Sequence, residues 1–270
     1  MSRDTAPGDV RLVGNRIWLA RTADGTVIQK LYAPHDHGPR YWARLLLERL
    51  GARKTPTTVR ARWRTERELL RVWRAAGCDV PQDLSERHPA LVHGPVTILE
   101  RVEGPLLGHV LGSGRLSEQE RVDLLTRFAA AWGRRHRLAI EQRDARLVQE
   151  HGTFLHVIMA PGRLVTIDLE QAYHPRRDVR PLVTREIVAY VRSLAKRVDE
   201  ARLAADLRIL VAAYPDRSLL EAAVREYVDS PRLVWRLDRR LRRDRGRALG
   251  KYGALALLRA ALLAVAEHVP

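Results

Sequence analysis

The chain has 270 residues, 46% hydrophobic and 30% charged, which is typical of a soluble globular protein and excludes a disordered one. Its 48 Lys and Arg against 32 Asp and Glu give a net charge of +16 and a pI of about 11.0. This favours an anionic partner, with an arginine-rich genome as the alternative explanation. The single cysteine, Cys78, excludes a disulfide framework and suits a reducing cytoplasm, and the opening residues predict no signal peptide.

Apolar runs near the N-terminus predict three antiparallel strands. Gly14-Asn15 and Asp24-Gly25 are dipeptides that favour two-residue hairpin turns, and we place the first two turns there. Lys30 lies inside the third strand, in the run Val27-Ile28-Gln29-Lys30. Such a lysine is either an edge residue that points to solvent or a functional one.

Residues 58–76 predict an amphipathic helix that ends at Gly77. Its apolar face is formed by Val59, Trp63, Leu70 and Trp73, and Glu66 lies in the middle of that face. A carboxylate buried without a partner is costly, so Lys30 is the natural counter-ion. The alternative is that Glu66 reaches water at the edge of the face. A shorter helix is predicted at 39–50, within an insert at 33–57 to which we assign no role.

The middle and the C-terminal part of the chain predict two more strands and then mostly helices. The strands are expected at 90–92 and 96–102. A long helix begins with the capping box Ser117…Glu120 and runs to about Arg137; its His136, among arginines, is expected on the surface. Further helices are predicted at 184–198, 201–213 and 218–227, the last with a capping box Ser218…Glu221.

Between these helices, residues 157–159 and 164–167 predict two short strands. They are joined by Ala160-Pro161-Gly162-Arg163, whose Pro and Gly favour a turn. Asp168 follows directly after the second strand. A carboxylate at that place can be aimed at a ligand from a rigid base; the alternative is a turn residue that ends the strand.

The stretch from Leu147 to Tyr173 resembles the catalytic loop and metal-binding segment of the protein-kinase-like fold. The form is the abbreviated one of bacterial lipopolysaccharide core (Kdo/heptose) kinases and small atypical kinases. Val157-Ile158-Met159 match the strand after the loop, and Ile167-Asp168-Leu169-Glu170 match the metal segment. Lys30 in V-I-Q-K resembles the lysine strand of these kinases, and Glu66 in T-E-R-E-L-L resembles their αC helix. The resemblance covers roughly residues 10–200.

The resemblance implies an α+β, two-lobed protein-kinase-like domain that uses ATP with Mg²⁺ or Mn²⁺. We expect a β-rich N-lobe at 1–102, a helical C-lobe with the catalytic loop at 103–230, and basic amphipathic C-terminal helices at 231–270. The resemblance implies that Lys30 binds the ATP phosphates and that Glu66 holds Lys30 in place. It also implies that the Glu100–Val102 backbone binds adenine and that Asp168 binds the metal.

The sequence departs from the family pattern in the catalytic loop. His151 occupies the position of the catalytic aspartate, and His156 that of the metal-binding asparagine; a gapped alignment places Thr153 at the aspartate position instead. His151 could act as a base for the acceptor hydroxyl. His156 could ligate a metal, although imidazole suits softer ions than Mg²⁺. The glycine-rich G-x-G-x-x-G flap is also absent from the first hairpin.

The C-terminal part of the sequence is strongly basic and then apolar. Leu233, Leu237 and Leu241 repeat among arginines between Arg232 and Arg247, and residues 253–269 are almost wholly apolar. This pattern favours an interfacial membrane anchor. The alternative is a terminal helix packed on the domain.

Three functions follow from these patterns. The first is an ATP-dependent phosphotransferase acting on a lipid-linked sugar, in the cytoplasm and peripheral on the inner face of the membrane, with anionic lipid as a partner. The second is an atypical serine kinase associated with RNA or ribosomes, for which a high positive charge is equally suitable. The third is a nucleotide-binding pseudokinase without chemistry.

Overall fold

A computed structural model describes residues 10–12, 15–33, 54–175, 178–229 and 250–267. The chain divides into two compact units, the first formed by Met1–Gly104 and Ala160–Pro175 and the second by Pro105–Met159 and Arg176–Pro270. The sheet lies in the first unit and most helices lie in the second. A β-rich first unit and a mostly helical second unit are the predicted α+β arrangement. The segment 160–175, which carries Asp168, belongs to the first unit, whereas the sequence-based division placed it with the helices.

The first unit contains a four-stranded antiparallel sheet in the order β1-β2-β3-β4. Lys30 pairs with Ile17 on one side and with Thr97 on the other, so it lies in the middle of the sheet and not at an edge. Asn15 was predicted in the first turn but begins a strand, paired with Leu12. The strands are β1 Val10–Leu12, β2 Asn15–Thr22, β3 Gly25–Tyr32 and β4 Val96–Glu100.

The predicted helix with Glu66 is α1, Val59–Ala75. Thr58 caps its N-terminus, since its hydroxyl accepts a hydrogen bond from the Ala61 N–H at 3.4 Å. The chain leaves the helix at Gly77, whose φ of +72° lies in the left-handed region that glycine adopts readily. The buried face contains Glu66 as predicted, but Arg62 and Thr65 lie on it too, and Trp63 is only half-buried.

The strand predicted at 90–92 is wrong. Residues Pro89–Leu91 form a short 3₁₀ helix, with Pro in its first turn where the missing N–H costs nothing. The short apolar run Ala90-Leu91-Val92 gave no period that could distinguish a strand from a helical turn. Val92 and Leu91 instead pack against the apolar side of the sheet around Val27, Val96 and Ile98.

The second unit is helical. The capping box at Ser117 and Glu120 is present in both directions, as predicted. The box predicted at Ser218 is wrong, because Asp216 caps that helix by accepting from the Ser218 N–H. The helices are α2 Leu107–Gly112, α3 Glu118–Glu141, α4 Arg180–Ala195, α5 Glu200–Ala213, α6 Arg217–Tyr227 and α7 Lys251–Ala266. The predicted hairpin β5 Val157–Ala160 and β6 Arg163–Thr166 lies where the chain passes from this unit back to the first.

His136 was predicted on the surface and is fully buried in the second unit. Its Nδ1 lies 2.6 Å from the Tyr214 hydroxyl, and its Nε2 lies 3.2 Å from a Glu186 carboxylate oxygen. Arg135 also pairs with Glu186. The neighbouring arginines in sequence misled the prediction: Arg134 and Arg137 are exposed, but His136 lies on the packed face of helix α3, where polar side chains pair with one another.

The apolar C-terminal segment forms helix α7, packed against α4, α5 and α6. Ala254, Leu255, Leu258, Ala261 and Leu262 are buried in that packing. For residues 251–266 the structure therefore follows the packed alternative and not the interfacial anchor. The basic run at 231–249 and the helix predicted at 39–50 lie outside the described residues. Within the described ranges, no helix combines the length and the apolar character needed to cross a membrane.

Candidate functional site

Lys30 is the centre of a charged cluster in the first unit. Its ammonium lies 2.9 Å from Glu66, 3.2 Å from Asp168 and 2.6 Å from Glu170. The lysine side chain is only 5% exposed. A single ammonium thus contacts three carboxylates that come from one helix and from a segment about 140 residues away in sequence. The predicted pair of Lys30 and Glu66 is present, and Asp168 joins it.

Glu66 is fixed by a second partner that the sequence analysis missed. Tyr32 lies two residues after Lys30 and therefore on the same face of β3. Its hydroxyl donates to the second carboxylate oxygen of Glu66 and accepts from Thr97 at 3.4 Å. The sequence did contain a signal for Tyr32. Side chains alternate between the two faces of a strand, so every second residue, here Lys30 and Tyr32, lies on the same face.

Asp168 is the exposed member of the cluster, with 42% of its side chain open to solvent. It adopts a φ of 63°, in the left-handed region that costs free energy for any residue but glycine and least for Asn and Asp. The segment around it is held by Thr166, which donates to Asp79, and by mutual hydrogen bonds between Thr55 and Ala172. The strained backbone therefore presents a carboxylate beside Lys30 and open to water.

Glu170 is the other carboxylate that sequence reasoning missed. Besides Lys30, it accepts hydrogen bonds from the Arg62 guanidinium at 3.0 Å and from the Asn15 side-chain amide. Arg62 lies four residues before Glu66 and so shares its helix face, which could have been read from the sequence. Glu170 lies outside any regular element, and nothing in its spacing predicted these contacts.

We call Lys30, Arg62, Glu66, Asp168 and Glu170 the Lys30 cluster. It holds three carboxylates and two cations, which leaves one negative charge in excess. Burial would lower the pKa of Lys30, but the surrounding acidic groups, Glu66 first, outweigh burial and raise that pKa well above its usual value. Lys30 is therefore charged at physiological pH. Burial is the main cause that raises the pKa of Glu66 above its ordinary value. The nearby carboxylates of Glu170 and Asp168 raise that pKa further, and Lys30 acts in the opposite direction. Burial likewise raises the pKa of Tyr32.

The segment predicted to hold adenine follows β4. The Glu100 carboxylate pairs with Arg163 and accepts from the Gln82 N–H, and the Glu100 N–H donates to the Gln82 carbonyl. Glu100 therefore anchors the end of the strand. Within the described residues, the backbone of Val102 makes no hydrogen bond to another backbone group. Of the two predicted adenine contacts, Val102 has the backbone groups suited to pair with a base.

His151 and His156 lie in the second unit. The His151 side chain is 59% exposed, and its Nε2 lies 2.6 Å from the carboxylate of Glu150. The His156 Nδ1 lies 3.1 Å from the His151 carbonyl oxygen, which can only accept, so Nδ1 carries the proton and Nε2 has the lone pair in the neutral ring. The roles of a base for His151 and of a metal ligand for His156 stay predictions.

The residues of the first unit fit a divalent cation of the magnesium type, which is held in proteins by one or two carboxylates together with phosphate oxygens and water. Asp168 offers such a carboxylate at the surface. In the part of the chain that the structure describes, no three His, Cys, Asp or Glu side chains are arranged to hold a metal by themselves.

No protein-family model and no curated protein matches the chain. Among solved structures, it is similar to WaaP in complex with acyl carrier protein, at 16% identity and a TM-score of 0.46, over 80% of this chain and 85% of that one. It is also similar to the Rio2 kinase–ADP/Mg²⁺–phosphoaspartate complex from Chaetomium thermophilum, at 10% identity and 0.44, over 96% and 71%. A second Rio2 kinase structure from that organism has 11% identity and 0.38, over 98% and 73%. At these scores the likenesses carry no conclusion about reaction or acceptor.

Proposed function

We propose that the protein is an ATP-dependent phosphotransferase of the protein-kinase-like fold. The observation that supports it best is the contact of one buried lysine with both Glu66 and Asp168. The three residues were singled out from separate parts of the sequence for separate roles, and they meet at one ammonium. Structural ion pairs are also buried in this way, but they do not need a strained, solvent-exposed carboxylate as one member.

The roles proposed for the residues are those that the family resemblance implies. Lys30 would donate to the α- and β-phosphates, Glu66 would hold Lys30 in place, and the Val102 backbone would pair with adenine. Asp168 would ligate Mg²⁺ or Mn²⁺. Such a cation neutralises the phosphate oxygens and orients the transferred group.

His151 would orient or deprotonate the acceptor hydroxyl. A carboxylate oxygen of Glu150 lies 2.6 Å from its Nε2, which places a charged group beside the ring. Most of the rate in phosphoryl transfer comes from positioning and charge neutralisation, so a histidine in the place of the aspartate slows the reaction without forbidding it.

The first experiment is a thermal-shift and calorimetric titration with ATP and Mg²⁺ or Mn²⁺. Saturating ligand should stabilise the protein by about 2–4 kcal/mol. Lys30→Ala should weaken nucleotide binding, and Asp168→Asn should remove the metal-dependent part. If no nucleotide stabilises the wild-type protein with any of these metals, the proposed site is wrong.

The second experiment separates an enzyme from a pseudokinase. His151→Ala should lower kcat by about 10²–10⁴-fold and leave ATP affinity nearly unchanged. His174→Ala, at an exposed position, is the matched control and should alter neither. Tight ATP binding with no transfer to any sugar, lipid or protein acceptor, and with His151→Ala silent, would assign the protein to the pseudokinase class.

For the acceptor we propose a lipid-linked sugar at the cytoplasmic face of the membrane, with the protein in the cytoplasm and peripheral on that face. Support comes from the net charge of +16 and from the outer side of α1, where Arg60, Arg64 and Arg71 are exposed. At intervals of four and seven residues they share one face of the helix. The burial of α7 removes one argument for membrane insertion, so the remaining attraction is electrostatic.

The same arginines also suit RNA, which keeps the RNA-associated serine kinase as the second candidate. Co-sedimentation with anionic vesicles and titration with RNA distinguish the two. Changing Arg60, Arg64 and Arg71 to Gln should weaken binding to the true partner, and changing the exposed Arg115, Arg134 and Arg137 removes the same charge as a control. Tight RNA binding without vesicle binding would replace the lipid acceptor.

A further inference from the structure

We infer that Thr55 positions the carboxylate of Asp168 for a divalent cation, because it holds the segment in which Asp168 keeps its left-handed backbone. The inference rests on the proposed function, in which Asp168 ligates the metal. Thr55 lies at the end of the insert at 33–57, to which the sequence analysis assigned no role. It acts as a positioning residue, through the backbone that follows Asp168.

The first step concerns the backbone of Asp168. Its φ of 63° lies in the left-handed region, which costs free energy for a residue with a Cβ. Such a conformation persists only where the surrounding structure prevents the chain from relaxing. In this conformation the carboxylate lies 3.2 Å from the Lys30 ammonium and is open to solvent. A relaxed backbone would change the direction in which the side chain leaves Cα, and with it the place of the carboxylate.

The second step identifies what holds the chain after Asp168. The Thr55 N–H donates to the Ala172 carbonyl oxygen at 2.8 Å, and the Ala172 N–H donates to the Thr55 hydroxyl at 3.1 Å. Both backbone groups of the buried Ala172 therefore pair with the same residue. The adjacent Lys54 and Tyr173 form an antiparallel bridge that continues this pairing. The hydroxyl is the part of the contact that depends on the side chain at position 55.

The third step concerns where the segment is attached. Before Asp168, the Thr166 N–H donates to the Asp79 carbonyl oxygen at 2.8 Å. Asp79 follows the C-terminus of helix α1, and Thr55 precedes its N-terminus. The segment is thus tied to the chain at both ends of the helix that carries Glu66. With both ties in place, the backbone at Asp168 cannot relax without breaking a hydrogen bond.

The first measurement is the ratio of the nucleotide dissociation constants without and with Mg²⁺. ADP and ATP are titrated calorimetrically into the wild-type protein and into Thr55→Val, in EDTA and in excess Mg²⁺. Valine keeps the shape of the side chain and removes the hydroxyl. We expect the ratio to fall by about threefold to tenfold, the range that one hydrogen bond accounts for, with the affinity in EDTA unchanged. Thr55→Ser retains the hydroxyl and should keep the ratio of the wild type.

Ser85→Ala is the matched control. The hydroxyl of the buried Ser85 accepts from the Ile98 N–H at 3.1 Å, so this variant loses a hydrogen bond of the same kind in the same unit. That hydrogen bond holds strand β4 and not the segment of Asp168. Ser85→Ala should lower the stability of the protein and leave the ratio of dissociation constants unchanged.

The second measurement needs no nucleotide. Asp168→Gly and Asp168→Ala both remove the carboxylate, but only glycine adopts the left-handed region without a steric cost. Asp168→Gly should therefore have a Tm about 1–4 °C above that of Asp168→Ala. When Thr55→Val is added to both variants, the backbone at 168 can relax, and this difference should shrink by about half or more.

Each outcome decides the inference. A folded Thr55→Val that leaves either the ratio or the difference in Tm unchanged overturns it, and so does an equal fall of the ratio in Ser85→Ala. Loss of folding in Thr55→Val also overturns it and makes Thr55 a structural residue. Absence of nucleotide binding by the wild-type protein in both EDTA and Mg²⁺ overturns the proposed function itself. The comparison of glycine and alanine at 168 then still decides whether Thr55 holds that backbone.

Discussion

Each unit of the molecule buries a group of charged side chains, and the two groups differ in balance and in access to water. In the second unit, Arg135, His136 and Glu186 form what we call the Glu186 cluster, all of it buried. Glu186 accepts from Arg135, from the Trp132 indole and from the Gln149 N–H. In the first unit, the Lys30 cluster has an excess carboxylate, and Asp168 is open to solvent.

The difference shows which buried charged residues are suited to stabilise the fold and which are suited to bind a ligand. In the Glu186 cluster one carboxylate meets one guanidinium, and burial lowers the pKa of His136 so that the imidazole stays neutral. Its charges are therefore balanced, and no member faces water. The five members of the Lys30 cluster include three carboxylates and two cations, and its exposed member, Asp168, carries the backbone strain. Buried polar networks stabilise when every group has a partner; an excess charge at a surface is suited to a ligand.

The largest expected effect is from breaking the Glu186 cluster. Glu186→Gln leaves Arg135 buried without its carboxylate and should lower the free energy of unfolding by about 3–5 kcal/mol, measured by chemical denaturation. Glu221→Gln removes a charge from an exposed position on α6 and should change it by less than about 0.5 kcal/mol. Equal effects from the two variants would contradict the structural role of the cluster.

Acid should destabilise the protein mainly through the same cluster. Burial would raise the pKa of Glu186, but Arg135 and His136 outweigh it and lower that pKa to about 2. A lowered carboxyl pKa adds stability that is present above about pH 4.5 and lost as the pH falls toward 2, up to about 3 kcal/mol. The lowered pKa of His136 starts the loss earlier, below about pH 6.5.

Tm measured between pH 7 and pH 3 checks this prediction. Glu186→Gln should flatten the decline below pH 4.5, because the titrating carboxyl is gone. The raised pKa of Glu66 acts in the opposite direction, since a folded state that binds a proton more readily gains stability on acidification. A decline that is equally steep in Glu186→Gln would place the acid-sensitive group elsewhere.

Tyr32→Phe tests how rigidly the Lys30 cluster is held. It removes a buried hydrogen bond to a charged carboxylate and should lower the free energy of unfolding by about 1.5–3 kcal/mol. Tyr190→Phe in the second unit removes a buried hydrogen bond of 2.6 Å to the neutral amide of Gln149 and should lower it by about 0.5–1.5 kcal/mol. The reverse order in denaturation experiments would mean that Tyr32 contributes little to fixing Glu66.

The smallest change in stability is expected at Asp168. Because this carboxylate is 42% exposed, its ion pair with Lys30 is screened by water, and Asp168→Asn should alter the free energy of unfolding by less than about 1 kcal/mol. Asparagine also tolerates the left-handed backbone. The same substitution should remove the metal-dependent stabilisation by nucleotide. A loss of stability as large as that of Glu186→Gln would make Asp168 a structural residue.

The sequence by itself determined most of the longer elements and three members of the Lys30 cluster. The strand with Lys30, the helix with Glu66 and its stop at Gly77, and the capping box at Ser117 are local features, set by periodicity and by backbone preferences over a few residues. A carboxylate in the apolar face of a helix needs a counter-ion, and that requirement alone pointed to Lys30. Asp168 was found from its place at the end of a strand.

Only the tertiary structure decided which charged residues contact one another where no local sequence pattern relates them. Glu170, a member of the cluster, accepts from Asn15 across 155 residues of sequence, and no period of helix or strand relates the two. His136 is buried because it lies on the packed face of α3, which its arginine neighbours do not reveal. The same holds for α7, whose apolar run is equally suited to a membrane surface or to a protein core, and which helices α4, α5 and α6 cover. Burial and pairing depend on what packs against a residue, and a single chain segment carries no record of its distant neighbours.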